Sequence, residues 1–193
     1  MHLLSGWLTP TRSLGMAAYL FAAISCGIAW VRSGGTLRRL AALLAALEAG
    51  LFLDMAFNGR WQLHELLRNK AIAESLYTQR VLPQVAALGL LVAAAAAGIG
   101  LALFLLRGRT GAFVAVCGAI LSSSCWCAEV ISLHACDALF HVTIEGVMLV
   151  SLVWMAGALM TGLGILWEAR AFHATSRTGV RCAGTPASSL TDS

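Results

Sequence analysis

A stripe of side chains that could bind a metal lies between the two most C-terminal apolar runs of the chain. His134, Asp137, His141 and Glu145 are spaced at i, i+3, i+7 and i+11. A continuous helix would place them within about 80° of one another. Imidazole and carboxylate groups suit Zn, Cu or Fe, and a histidine can also be an axial haem ligand. The pattern predicts a metal site at His134, Asp137 and His141, with a solvated outer loop as the alternative.

Cys127 lies seven residues before His134 on the same helical stripe, but it does not form a two-thiolate clamp with Cys125. Cys125 and Cys127 are two residues apart, and on a helix they would point about 160° away from each other. Most of the six cysteines lie inside apolar runs, where cysteine behaves as a small hydrophobic residue. The chain carries no Gly-rich phosphate loop and no H-E-x-x-H motif. No catalytic residue is identified, so whether the chain is an enzyme stays open.

Three carboxylates, Glu48, Asp54 and Glu129, fall inside or at the edge of apolar runs. An ionised carboxylate at the centre of a bilayer costs about 2.5–3.5 kcal/mol, so such residues are candidates for function. Glu48 and Glu129 are predicted to be buried carboxylates that handle protons. The structural alternative for Glu48 is a protonated side chain that forms a hydrogen bond across helices. For Asp54 the alternative is an ion pair with Arg60 or Arg80 at the membrane edge.

A second polar cluster is predicted on the same side of the membrane as the histidine stripe. On a continuous helix, Trp61 and Glu65 would lie on the same face as Asp54, and His64 precedes Glu65 in sequence. With the N-terminus outside, these residues emerge on the same side as His134 and His141. We therefore expect His64 to join the two later histidines in binding a cofactor, which would be haem or a transition metal.

The overall composition identifies the kind of protein that must position these residues. Apolar residues make up 59% of the 193 residues, and charged residues only 11%. A soluble domain carries about a quarter charged residues, so this composition excludes a soluble enzyme and a disordered chain. The formal net charge is +4, but the basic residues flank apolar runs. They are therefore topology signals, and no nucleic-acid partner is predicted.

Apolar runs of about 20 residues are needed to span a bilayer. The sequence predicts an all-α integral membrane protein, a bundle of about five transmembrane helices with one amphipathic helix at the interface. The predicted spans are residues 13–31, 40–57, 81–106, 111–133 and 144–167. Residues 62–76 show near-helical spacing of leucines between charges, which predicts the interfacial helix. Residues 1–167 form the single predicted domain, and residues 168–193 are predicted to be a disordered cytoplasmic tail.

The orientation follows from the distribution of Lys and Arg. With five spans and the N-terminus outside, the inner side holds eight basic residues, Arg32, Arg38, Arg39, Arg107, Arg109, Arg170, Arg177 and Arg181. The outer side holds five, Arg12, Arg60, Arg68, Lys70 and Arg80. The excess inside places the N-terminus in the periplasm and the C-terminus in the cytoplasm. The Ala-, Gly- and Arg-rich composition favours a multi-pass protein of a bacterial inner membrane.

One local resemblance bears on function. Residues 140–146 (FHVTIEG) are similar to the H-V-x-x-G start of the last helix in subunit III of haem–copper oxidases, with Glu145 interrupting the pattern. The long polar loop that normally precedes that motif is missing here. The resemblance implies an accessory subunit of a membrane complex.

Three functions are therefore expected, in this order. The first is a membrane protein that binds a metal or redox cofactor at its outer face. The second is a non-catalytic accessory or assembly subunit, which would contact other subunits or a second copy through the small residues at 93–100. The third is a small transporter, which would have to dimerise to line a path.

Overall fold

The computed structural model of the chain is a helical bundle, and it describes residues 9–75, 79–131, 138–140, 142–144 and 146–182. Its elements are α1 (Pro10–Arg32), α2 (Gly35–Phe57), α3 (Gly59–Ala73), α4 (Val81–Leu105), α5 (Thr110–Ile131), β1 (Thr143–Ile144), β2 (Val147–Met148) and α6 (Leu149–Cys182). Every described helix except α3 is long and apolar enough to span a membrane, which gives five candidate spans. The predicted all-α bundle of membrane-spanning helices is therefore confirmed.

The first two spans form an antiparallel pair joined by a tight turn. Helix α1 begins with Pro10 after Thr9, whose hydroxyl accepts a hydrogen bond from the Arg12 N–H at 3.3 Å. Helix α2 begins at Gly35, five residues before the predicted start of its span. Leu37, in this basic first turn, is buried in the bundle.

A sharp turn at Asn58 separates α2 from α3. Asn58 adopts the left-handed conformation, with φ of 60° and ψ of 35°, which asparagine tolerates better than most residues. A Cβ atom at Gly59 would lie 2.8 Å from the Asp54 Oδ1 atom, so a larger residue would have to displace the Asp54 carboxylate. Helix α3 covers most of the predicted segment 62–76. Leu66 and Leu67 are exposed on the protein, as a helix lying in the lipid interface requires.

Helix α6 crosses α5 at very close range along a seam of small residues. A Cβ atom at Gly118 of α5 would lie 2.5 Å from the Gly157 carbonyl oxygen and 2.6 Å from the Thr161 nitrogen. A Cβ atom at Gly164 of α6 would lie 2.7 Å from the Ala115 nitrogen. Small residues let helix backbones approach in this way, and the resulting van der Waals contact drives helix association in a membrane. The seam therefore fixes the crossing of α5 and α6.

The last span differs from the predicted residues 144–167 at both ends. The strands β1 and β2 pair antiparallel, Gly146 has a φ of +81°, and the helix begins only at Leu149. At the other end the helix continues to Cys182, although a tail was predicted from residue 168. Glu168 holds this part of α6 in place, since its carboxylate accepts hydrogen bonds from Arg109 Nε and the Ala112 N–H. Residues 183–193 of the predicted tail lie outside the described residues.

The helices differ greatly in how much of their surface the bundle covers. Helix α1 packs between α2 and α6, and α6 packs against α5. Helix α4 contacts mainly α5 and has only 6% of its apolar window buried, against 28% or more in the other four spans. We call the end where α1 begins and α2 ends the Arg60 end, and the opposite end the Arg109 end. The four-helix core of α1, α2, α5 and α6 thus carries α4 on its outside.

The close α5–α6 seam leads to a test of stability. Replacing Gly118 with Ala should lower the free energy of unfolding by about 1–3 kcal/mol, because the added methyl group has to displace backbone atoms of α6. Gly100→Ala in α4 is the matched control, since no atom lies within 4 Å of the position of its Cβ. Thermal unfolding in detergent, followed by circular dichroism, measures both. Equal melting temperatures for the two variants would contradict the seam.

Candidate functional site

A buried charged cluster lies at the Arg60 end of the bundle. Arg60, in the first turn of α3, is 8% exposed, and its Nε atom lies 3.3 Å from Asp54 Oδ2. Its Nη1 atom donates a hydrogen bond to Glu129 Oε2 of α5. The guanidinium carbon also lies 4.7 Å from the ring centroid of Trp154 in α6. We call these four residues the Arg60 cluster, and they come from four different helices.

The cluster forms because the chain reverses so sharply between α2 and α3. The left-handed Asn58 ends α2, and Gly59 allows α3 to start directly against the Asp54 side chain. Arg60 is therefore turned back over the end of α2, towards α5 and α6. A longer linker would place Arg60 in the aqueous phase, where an ion pair contributes little.

The Arg60 cluster contains more negative than positive side chains. Asp54 and Glu129 bring two carboxylates to one guanidinium, so the three ionised groups sum to a formal charge of −1. Their side chains are only 10–17% exposed, and ion pairs in such surroundings are screened less than surface pairs. Arg12 adds a second guanidinium at this end, where Nη2 donates a hydrogen bond to the Ala56 carbonyl at 2.8 Å.

His64 lies next to this cluster, against the end of α5. Its Nδ1 atom is 3.3 Å from the Val130 carbonyl oxygen, and its ring meets the Trp61 ring edge-on with 6.2 Å between centroids. From α4, Gln84 Nε2 donates a hydrogen bond to the Ile131 carbonyl at 3.0 Å. Two side chains from α3 and α4 therefore hold the last two residues of α5. The segment that carries His134 and Asp137 follows directly in sequence.

The structure brings together some of the predicted site residues and separates others. Asp54 and Glu129 share Arg60, and Arg60 is one of the two partners expected for Asp54. His64 stands beside the end of α5, as described above, whereas Glu48 is buried deeper in the bundle. Three further predicted residues, His134, Asp137 and His141, lie outside the described residues. Within the described part of the chain, no group of three His, Cys, Asp or Glu side chains is arranged to hold a metal ion.

Sequence analysis missed that Arg60 is the centre of the charged cluster. From the sequence, Arg60 was only one of several outer basic residues and one possible partner of Asp54. The Asn58-Gly59 pair was the available signal, because these two residues favour a tight turn. That turn brings Arg60 back to a carboxylate that lies only six residues earlier.

A second ionic site, at the Arg109 end, was also missed. Arg109 Nε lies 3.0 Å from Glu168 Oε1, and Arg109 Nη1 donates a hydrogen bond to the Thr36 hydroxyl at 3.4 Å. The other Glu168 oxygen accepts from the Ala112 N–H in the first turn of α5, where a helix favours negative charge. These contacts tie α2, α5 and α6 together at the end opposite to the Arg60 cluster.

Comparisons of the chain with known protein families, curated proteins and solved structures give no match.

The burial of Arg60 leads to a second test of stability. Replacing Arg60 with Gln should lower the free energy of unfolding by about 3–5 kcal/mol, because two partly buried carboxylates lose their common partner. Arg68→Gln is the matched control on the same helix. Its ion pair with Glu65 is about half exposed, and its loss should cost less than about 1 kcal/mol.

Chemical denaturation in detergent, or the melting temperature, distinguishes the two variants. If Arg60→Gln is no less stable than Arg68→Gln, the cluster does not hold the four helices together.

Proposed function

We propose that this chain is a multi-pass protein of a bacterial inner membrane that binds a transition-metal ion or a haem-type cofactor at its outer face. The site would use His134, Asp137 and His141, with His64 as a further ligand. The observation that supports this most directly is the contact of His64 with the Val130 carbonyl. Residue 130 stands four residues before His134 in sequence, so this contact is consistent with His64 joining the other proposed ligands.

The two carboxylates of the Arg60 cluster support the same site. Carboxylates next to a metal site commonly orient the ligating histidines and raise their basicity. Glu129 lies two residues before the end of α5, where the segment that carries the proposed ligands follows in sequence, and Asp54 shares Arg60 with it.

The proposed orientation puts the Arg60 end in the periplasm and the Arg109 end in the cytoplasm, since eight basic residues then lie inside and five outside. Reporter fusions at Gly35, Asn69, Arg109 and Ser188 should report inside, outside, inside and inside. Fusions of alkaline phosphatase, which is active outside, and of green fluorescent protein, which is fluorescent inside, give opposite readouts at each site. An outside signal at Ser188 would overturn this topology.

The cofactor is tested by the visible absorption spectrum and metal analysis of detergent-purified protein. A Soret band would indicate haem, and stoichiometric Zn, Cu or Fe without that band would indicate a metal ion. His134→Ala and His141→Ala should each remove the bound group and leave the protein inserted in the membrane. His173→Ala, in the last helix near the opposite end, is the control and should retain it.

Protein that binds neither haem nor metal would refute the cofactor proposal and favour an accessory subunit. One observation supports that second candidate, namely that helix α4 is barely covered by the rest of the bundle. Ala102 is its only buried residue, and most of the small residues at 93–100 are exposed on the protein. Such a face suits close packing against a helix of another subunit or of a second copy. A dimeric transporter would use the same face.

A further inference from the structure

Glu48 lies at mid-depth in α2 and is completely buried, with 0% of its surface exposed. On its α2 face, Leu44 lies one turn towards the Arg109 end and belongs to one apolar cluster. Leu51 lies one turn towards the Arg60 end and belongs to a second apolar cluster. A carboxyl group therefore separates the two halves of the apolar core. No packing requirement explains it, because leucine would continue the α2 seam.

Neither carboxyl oxygen of Glu48 has a hydrogen-bond partner among the described residues. The Thr161 hydroxyl of α6 interacts with Glu48, but it donates its hydrogen to the Gly157 carbonyl at 3.0 Å. It is thus not free to donate to a carboxylate. On α1, Tyr19 and Cys26 are the titratable residues buried in the two apolar clusters that flank Glu48. From α5 the nearby seam supplies Ser122, a buried hydroxyl.

These surroundings do not compensate a negative charge. An isolated carboxylate in an apolar interior is so unfavourable that the group takes up a proton instead. Arg60 and Arg109, the guanidinium groups of the two ionic sites, interact with carboxylates at opposite ends of the bundle. These surroundings therefore favour the neutral, protonated form of Glu48.

We propose that Glu48 is an exchangeable proton site in the middle of the membrane, connected by way of Tyr19 to the Arg60 cluster. This inference is independent of the proposed cofactor. It assigns the four-helix core a function in proton binding.

Tyr19 is the group that can connect Glu48 with the Arg60 end. Its side chain is 2% exposed and belongs to the apolar cluster on the Arg60 side of Glu48, which also holds Trp154, the ring that contacts Arg60. Because neither Glu48 oxygen has a hydrogen-bond partner among the described residues, the exchange step uses water that enters between the side chains. The Glu48 oxygen gives its proton to a water molecule, which gives one of its protons to the Tyr19 oxygen, and Tyr19 passes its own proton through water to a Glu129 carboxylate oxygen. One proton moves, the number of O–H bonds is unchanged, and nothing is oxidised or reduced.

Towards the Arg109 end the core is an apolar cluster that includes Ala41, Leu44, Ala115, Ala119 and Ile165. Cys26 belongs to this cluster and is fully buried. Ser25 is buried next to it in sequence, and the Thr161 hydroxyl on this side is bound to the Gly157 carbonyl. Cys26 is therefore the reference position on this side of Glu48.

Infrared spectroscopy of the full chain in lipid nanodiscs tests the proton itself. A protonated carboxylic acid has a carbonyl stretching band that an ionised carboxylate lacks. Near neutral pH the protein should show this band, and Glu48→Gln should lose it. If the band is equally strong in Glu48→Gln, or absent from the unaltered protein, the proposal is overturned. If sodium chloride abolishes the band but an equal concentration of choline chloride does not, Glu48 is a sodium site and the proposal is equally overturned.

Transfer into D₂O tests the path, because the band shifts as the proton is replaced by deuterium. Tyr19→Phe should keep the band and slow its shift by about tenfold or more, since a positioned group that relays a proton accelerates transfer. Cys26→Ala is the matched control, on the same helix but on the other side of Glu48, and should leave the rate unchanged. If Tyr19→Phe exchanges as fast as Cys26→Ala, Tyr19 is not the connection and this part of the proposal is wrong.

Discussion

The structure depends on a single guanidinium group that is held in an apolar bundle by two carboxylates. Arg60 belongs to the short helix α3, but its contacts reach the end of α2, the end of α5 and the ring of Trp154 in α6. A charge this buried is stable only while its partners stay in place. The position of each of these helix ends is therefore coupled to the position of the others.

The two ends of the bundle are closed by ionic contacts of different kinds. At the Arg60 end the contact is buried, has more negative than positive groups and lies beside His64. At the Arg109 end one arginine meets one glutamate, whose second oxygen caps the start of α5. Between them the α5–α6 seam depends on small side chains and not on charge. The asymmetry between the ends gives the bundle a direction, with its polar chemistry concentrated at the Arg60 end.

The same asymmetry relates the proposed cofactor site to the proposed proton site. Glu129 binds Arg60 and lies two residues before the end of α5, whereas Glu48 is buried deeper in the bundle. Redox chemistry at an outer site would change the charge close to Glu129, and a proton bound at Glu48 could respond to that change through Tyr19. The coupling would act through electrostatics over a few side chains and needs no large movement of the helices.

The sequence by itself determined the membrane class, the five spans and the existence of α3, because each depends on hydropathy and periodicity within about 20 residues. It also identified Glu48, Asp54 and Glu129 as exceptional, since the cost of a carboxylate in a span can be assessed one residue at a time. Only the tertiary structure decided that Glu129 meets Arg60, 69 residues away, and that Glu48 meets no hydrogen-bond donor among the described residues. It likewise extended α6 past residue 167, where Glu168 binds Arg109. The reason is that such pairings depend on how the helices cross. The crossings are set by the left-handed turn at Asn58 and by backbone contact along the α5–α6 seam, which bring together residues that are distant in sequence.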